Sequence, residues 1–390
     1  MAAPFNLRWG LMATGWIAEE FTKDLLIDSS VRGAGDISHT IVAVASSSSK
    51  AKAEDFITRF KIPSPCTAYG DYKSLVSDPS VDVIYVATPH SHHFQNTMLA
   101  LEAGKHVLCE KAFTVNAKQA EILVQTAKKK GVFLMEAVWT RFFPVSGQIR
   151  EAIKSGEIGE VVRVMADTSA GSGDGAEEEW GVKHRMVNMD LAGGALLDLG
   201  VYSLTWVFQA LYHTLPISER QAPSAISAQI AKYPLTGADE NTSVILEFPR
   251  SAPAGKYKAH GVALTSIRAS VDPDGKFTAG PAIRIQGTKG EIQVMGHAYH
   301  PDGFRVIPRN VAGEPEKAVR EVIAEFPGNG KGMYWEADEV ARCVRDGKLE
   351  SETMSWEESL VIMRVMDEIR KQGGLVYPEK IESTQYPLEL

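Results

Sequence analysis

The sequence predicts a parallel, doubly wound α/β domain over residues 1–143, followed by an α+β domain over 144–390 built on a large, mostly antiparallel open sheet. Three observations predict this. Apolar strand-like runs alternate with helical stripes through the first 140 residues or so, the spacing of a parallel sheet covered on both faces. The first run enters a small-residue turn, Ala13-Thr14-Gly15-Trp16-Ile17-Ala18. After about Pro144, strand-like stretches follow one another with few helices between them, as an antiparallel sheet requires.

Taken in order, Leu7 to Met12 is the first strand and Ala18 to Leu26 a helix. Thr40 to Ala45 is near-continuously apolar, as a strand buried on both faces should be. Ala51 to Phe60 carries Ala53, Phe56, Ile57 and Phe60 on one helical stripe, and Asp71 to Val76 is a short helix. Val81 to Ala87 is a strand stopped by Thr88-Pro89. His93 to Ala103 is a helix closed by Gly104. Val107 to Cys109 is a strand, Val115 to Lys129 a helix closed by Gly131, and Val132 to Glu136 the last parallel strand. Beyond it, Gly147 to Ser155 reads as a helix and Glu160 to Thr168 as a strand. A glycine- and acid-rich loop, Ser169 to Gly181, precedes Asp190 to Tyr212, where Gly193-Gly194 opens a long apolar helix. Strands are expected at Ser224–Ala231, Ser243–Phe248, Val262–Val271, Ala282–Gln286 and Gly290–Val294. Helices close the chain at Gly332–Asp346 and Ser355–Gly373, the latter opened by a Ser355/Glu358 capping box.

Composition is that of a globular protein. Of 390 residues, 44% are apolar and 23% charged, and the net charge of −8 disfavours a nucleic-acid surface. Cys66, Cys109 and Cys343 are too scattered for a disulfide framework or a zinc cluster. No secretion segment and no run of about 18 apolar residues is read, so the chain is expected in the cytoplasm, with no membrane partner.

The dinucleotide fingerprint Gly-x-Gly-x-x-Gly falls on Ala13, Gly15 and Ala18. Gly15 keeps the position where backbone approaches pyrophosphate. Ala18 permits close helix–strand packing, and Ala13 fits only with a negative φ. Gly10 relieves crowding within the strand. Ala13, Thr14, Gly15, Trp16 and Ile17 are therefore the expected phosphate-binding turn. At the end of the second strand, where an acid would bind a ribose 2′-OH, the chain has Ser46-Ser47-Ser48-Ser49-Lys50. Ser46, Ser47, Ser48 and Lys50 receive a 2′-phosphate without carboxylate repulsion, which selects NADP over NAD. The plainer reading, a loop and cap before the next helix, is compatible with it. Thr88, His92 and His93 follow a strand at the edge where ligands sit. His92 or His93 braces the nicotinamide side or serves the loop and helix start. No acid accompanies these histidines, so no metal is expected.

Glu110-Lys111 ends another strand of the same domain, and Glu110 is expected to pair with a nearby base or the ribose. Asp198 and Tyr202 are four apart and share one face of the long helix. An acid and a phenol amid leucines are costly to bury unpaired, and a satisfied core pair is the plain alternative. Together with Lys111 they suggest hydride transfer from an alcohol. Tyr202 takes the hydroxyl proton, Lys111 favours the phenolate and orients the substrate, and Asp198 holds a hydroxyl or fixes the lysine. The reverse assignment, Lys111 as base, stays open. Gly193-Gly194 points to close backbone packing, the cofactor being one partner considered. Trp139 and Arg141 leave the last parallel strand: Trp139 stacks on a ring and Arg141 anchors a phosphate, or both fill an interface. Glu177-Glu178-Glu179 reads as solvated, and His297 and His300 carry no assignment.

These residues carry a resemblance. Thr88, Pro89 and His93 match Thr-Pro-x-x-x-His. Glu110-Lys111-Ala112 matches Glu-Lys-Pro with alanine for proline. Gly193, Gly194, Asp198, Gly200 and Tyr202 match Gly-Gly-x-x-x-Asp-x-Gly-x-(His/Tyr). The chain resembles the glucose-fructose oxidoreductase, inositol dehydrogenase and rhizopine-catabolism (Gfo/Idh/MocA) family over nearly its whole length. Tyr202 and Met135–Pro144 are similar to the branch holding dimeric dihydrodiol dehydrogenases and fungal NADP-dependent D-xylose 1-dehydrogenases. The resemblance implies a Rossmann first domain and Lys111, Asp198 and Tyr202 as catalytic residues. It implies oxidation of the anomeric carbon of a pyranose sugar to a lactone, and a homodimer through the second-domain sheet. A trans-dihydrodiol or another aldose as substrate, and a non-catalytic NADP-sensing protein, are the alternatives. Replacing proline by Ala112 removes a φ restraint beside the lysine.

Overall fold

The computed structural model describes residues 3–252 and 255–390. They form two compact units that do not follow chain order: Met1–Phe142 with Phe326–Leu360 and Glu379–Leu390, and Phe143–Glu325 with Val361–Pro378. The stretch 144–390, read from the sequence as one domain, is thus divided between the two.

The first unit begins with β1 (Phe5–Met12), α1 (Trp16–Leu25), β2 (Ile37–Ala45), α2 (Lys50–Arg59), β3 (Thr67–Tyr69) and α3 (Tyr72–Ser77). It continues with β4 (Val83–Val86), α4 (His90–Glu102), β5 (His106–Glu110), α5 (Ala117–Lys130) and β6 (Leu134–Ala137). All six strands are parallel, in the order β3-β2-β1-β4-β5-β6. This is the doubly wound order whose reversal between β1 and β4 leaves a ligand crevice at the carboxyl edge. Burial on both faces explains the continuous apolar runs: every residue of β4 is buried. Within the core, Phe21 of α1 stacks on Tyr85 of β4 at 3.9 Å. A Cβ at Gly10 would lie 2.9 Å from side-chain atoms of both Ile84 and Val81, so the glycine relieves crowding at that strand position.

The second unit holds α6 (Pro144–Lys154), β7 (Val161–Asp167), α7 (Ala176–Trp180) and α8 (Val201–Phe208). Its remaining strands are β8 (Ala225–Lys232), β9 (Asp239–Ala252), β10 (Gly255–Ser266), β11 (Ile283–Gly287), β12 (Gly290–His297), β13 (His300–Pro308) and β14 (Arg320–Ile323). They make one eight-stranded sheet, ordered β14-β13-β12-β11-β7-β10-β9-β8, antiparallel except where β7 meets β10. One π-helical turn precedes α8 (Leu196–Gly200) and one follows it (Gln209–His213), so the long apolar helix bears two register shifts. The stretch Met189–His213 is long and apolar enough to span a membrane by composition alone, but 89% of its most apolar window is buried in the fold. It is a core helix packed on β7 and β10.

After β14 come α9 (Met333–Arg345), α10 (Trp356–Gln372) and α11 (Glu379–Glu382). Helix α9 returns to the first unit because its stripe of Met333, Ala337, Val340 and Ala341 completes that unit's apolar core. A buried triad ties it there: Asp338 takes Arg32 at 2.7 Å and His39 at 2.9 Å.

Candidate active site

In the first unit, β1, β2, β4, β5 and β6 run parallel, so their carboxyl ends share one edge. The predicted cofactor residues follow those ends. The turn after β1 leaves α1 without a side-chain cap; its N-cap is Gly15. A Cβ at Gly15 would meet nothing within 4 Å, which leaves an open cradle at the unfilled N–H groups of the helix start. Thr14 and Ile17 are half-buried and Trp16 is exposed. These features fit a bound pyrophosphate. Ala13 departs from expectation: its φ is +101°, not negative. It adopts the backbone conformation that the fingerprint's first glycine would supply, at the cost of a Cβ in a sparsely allowed region.

After β2, Ser46 and Ser48 hydroxyls lie 3.0 Å apart, and Ser47 hydrogen-bonds Tyr72, whose phenol burial pushes above its ordinary range. Ser49 accepts from the Lys52 N–H and caps α2, so the plainer cap reading holds alongside any phosphate role. Lys50 is exposed, 3.6 Å from Glu54. Two hydroxyls and a mobile-length ammonium fit a 2′-phosphate; no carboxylate stands directly after the strand.

The turn that follows β5 is built in detail. The Tyr85 hydroxyl donates to Glu110 Oε1, and the Lys111 N–H donates to Glu110 Oε2 at 3.2 Å. Glu110, expected at the ribose or a base, is buried and engaged with its own scaffold. Lys111 is half-buried, and the Lys111–Ala112 peptide is cis. Two side chains hold this turn. His93 Nδ1 lies 2.8 Å from the Ala112 carbonyl and Nε2 2.8 Å from the Thr88 carbonyl. Glu136 Oε1 accepts from the Phe113 N–H at 3.0 Å, and its Oε2 accepts from Ser359 at 2.7 Å. Burial pushes His93 down to about 4 and Glu136 up to about 7. His93 is thus a fully enclosed brace between the ends of β4 and β5. It holds the lysine turn through the Ala112 carbonyl, and its buried ring is not presented to a nicotinamide. His92 is half-buried, 2.8 Å from the Ser91 hydroxyl, and Thr88 accepts from Asn96.

One further expectation changes. Arg141 is 1% exposed, and its guanidinium donates to Glu358 at 2.6 Å and to the Thr353 carbonyl at 2.7 Å. It anchors the start of α10, not a phosphate; one aromatic-flanked arginine in sequence does not reveal a partner 217 positions away. Trp139 is half-buried against the apolar core of the first unit.

In the second unit, Asp198 and Tyr202 lie on the helix of Leu196–Phe208, both buried. Arg185, which no motif marks, donates to Asp198 Oδ1 at 3.0 Å. The Gly193-Gly194 pair packs against the protein itself. A Cβ on Gly193 would lie 2.6 Å from the Arg185 carbonyl, and one on Gly194 only 1.9 Å from Asp239 Oδ1. Asp239 Oδ2 accepts from the Leu196 N–H at 2.6 Å and from Thr242, so a carboxylate from β9 caps the helix that carries Asp198 and Tyr202. Burial pushes Asp239 up to about 6. Beside Tyr202, ring centroids 6.0 Å apart, stands Tyr299, stacked on His297 at 4.9 Å. His300 meets Phe143 edge to face. The acidic loop is only partly solvated: Glu177 pairs with Arg268.

Residues 7–138 match the oxidoreductase family with an NAD-binding Rossmann fold (GFO_IDH_MocA), and residues 147–293 match the GFO/IDH/MocA C-terminal domain. The chain belongs to this family. It is 56% identical over 387 residues to a D-xylose 1-dehydrogenase (NADP(+)) of Hypocrea jecorina, covering 98% of this chain and 96% of that one. It is 34% identical to a trans-1,2-dihydrobenzene-1,2-diol dehydrogenase of Danio rerio, covering 96% and 98%. An aldose-aldose oxidoreductase from Caulobacter crescentus shares the fold, with TM-score 0.72 and 21% identity over 95% of this chain and 98% of that one.

Proposed function

We propose that this protein is an NADP-dependent sugar dehydrogenase that oxidises D-xylose at C1 to D-xylono-1,5-lactone. The observation that carries this is the 56% identity, over nearly the whole of both chains, to an enzyme of that name. NADP supplies the hydride acceptor, C4 of the nicotinamide. The sugar would give its C1 hydride to that acceptor and its hydroxyl proton to Tyr202 acting as a phenolate. Lys111 would favour the phenolate by its charge and orient the substrate. Asp198 accepts from a neighbouring sugar hydroxyl. The helix cap by Asp239 and the brace by His93 and Glu136 hold these groups in place, which matters because positioning supplies much of the rate. The 34% identity to dihydrodiol dehydrogenases makes a trans-dihydrodiol the second substrate to compare.

NADPH formation should be followed at 340 nm across D-xylose, other pentoses, D-glucose and a trans-dihydrodiol, with NADP and NAD in parallel. The reading expects the highest kcat/KM with D-xylose and NADP. A higher value with the dihydrodiol transfers the assignment to that class, and NADP binding without turnover on any of them makes the protein a cofactor sensor. Tyr202→Phe should lower kcat about 100-fold, the scale of a positioned acid–base group, with NADPH affinity nearly unchanged. We place the enzyme in the cytoplasm as a homodimer through the second-unit sheet, whose β9 exposes Ile245; sedimentation velocity of Ile245→Glu tests that interface.

A further inference from the structure

We infer that Arg185 is a positioning residue for the reaction: it sets the orientation of the Asp198 carboxylate that receives the substrate, an inference that rests on the dehydrogenase reading above. Its guanidinium spans the carboxylate in a fork, Nη1 to Oδ1 at 3.0 Å and Nη2 to Oδ2 at 3.5 Å. The two partners are unequally placed. Asp198 is 8% exposed and Arg185 51%, so the arginine reaches in from a solvent-facing stretch to an acid the fold has already enclosed. An ionised carboxylate offers about four lone-pair directions, and a forked arginine fixes its plane while leaving some of them for hydroxyl donors.

The backbone around Arg185 is built to deliver it. Met186 and Val187, the next two residues, are buried with Ala195, Tyr233 and Ile267 in a small apolar cluster. The Val187 and Asn188 N–H groups both donate to the His184 carbonyl, closing a turn. The Gly193 N–H donates to the Asn188 carbonyl at 2.9 Å. The bare Gly193 Cα then lets the Arg185 carbonyl lie where a Cβ would be 2.6 Å away. The turn that carries the arginine is therefore docked on the residues that start the helix carrying the acid. A lysine could supply the charge but not the planar fork.

The test is a double-mutant cycle on the full-length protein with D-xylose and NADP. Arg185→Ala should lower kcat/KM by about 10- to 100-fold, the range for loss of a hydrogen bond to a charged group. NADPH affinity and the circular-dichroism melt should stay close to wild type. Arg185→Lys should recover only part of the loss, and added guanidinium ion at millimolar concentration should restore turnover to Arg185→Ala but not to wild type. In an Asp198→Asn background, Arg185→Ala should have little further effect, because the two act as one unit. Full activity in Arg185→Ala overturns the inference, as does a loss that simply multiplies with that of Asp198→Asn. Should Arg185→Ala fold poorly, Gly193→Ala displaces the same turn without removing the charge, and undiminished turnover there also overturns it. If Asp198→Asn itself turns over normally, the dehydrogenase reading of the site fails first, a distinct result.

Discussion

Gly194→Ala should be among the most damaging single-methyl additions in the second unit. Two costs add. The residue has φ +136°, where an L side chain is strained by about 1–3 kcal/mol. The new Cβ would also stand 1.9 Å from Asp239 Oδ1 and 2.9 Å from its Cγ, so the carboxylate must swing away. That breaks its hydrogen bond to the Leu196 N–H at 2.6 Å, and a hydrogen bond to a charged group contributes about 1.5–3 kcal/mol. The expected total is about 2.5–6 kcal/mol. Urea denaturation followed by circular dichroism measures it as a shift in midpoint at constant slope. The decisive comparison repeats the substitution in an Asp239→Ala background, where the clash is gone and only the backbone cost of about 1–3 kcal/mol remains. A total below about 1 kcal/mol, or the same cost in both backgrounds, would refute the capping argument.

Ala13→Gly should stabilise the protein by up to about 1 kcal/mol in thermal melts, since relief at φ +101° outweighs the added chain entropy; a lower midpoint counts against strain at that turn. Glu136→Gln should change the pH dependence of stability in one direction. Burial raises Glu136 from 4.5 to about 7, so its contribution is full below about pH 4.5 and is lost as pH climbs through 7. Relative to wild type, the glutamine variant should gain about 3 kcal/mol between those limits, at 1.36 kcal/mol per unit; a pH-independent difference would sink this account. Arg141→Ala strands Glu358 in the core and should cost about 3–5 kcal/mol with NADPH affinity of the surviving folded protein unchanged. A selective loss of cofactor binding without destabilisation would restore Arg141 to the phosphate-binding role.

The first sheet was readable because parallel strands buried on both faces must be apolar throughout, as in Val83–Val86 and Thr40–Ala45. What escaped were short or proline- and glycine-bearing strands and distant partners. β3 is three residues long, and β13 carries Pro301 and Gly303, so neither displays a strand pattern. The strand at Ser243–Phe248 extends to Asp239 and Ala252 because cross-strand pairing with β10, not apolar alternation, sets its length. Lys111, Asp198 and Tyr202 could be picked out by residue type and spacing. Arg185 and Asp239 could not: they act across a loop and across 43 residues respectively, where no periodicity links the partners. The glycine pair signalled close approach but not its neighbours, which are the Arg185 turn and Asp239.

The position of α9 bears on how the molecule is made. The parallel sheet is encoded before residue 143, yet Met333, Ala337, Val340 and Ala341, which seal its core, are encoded far downstream. About 190 further residues separate the two, roughly 10–40 s of ribosomal elongation at about 5–20 residues per second. During that interval the nascent sheet carries an uncovered greasy flank, a natural client surface for chaperones. A truncated gene product ending near Phe142 should therefore aggregate instead of accumulating as a free-standing nucleotide-binding module.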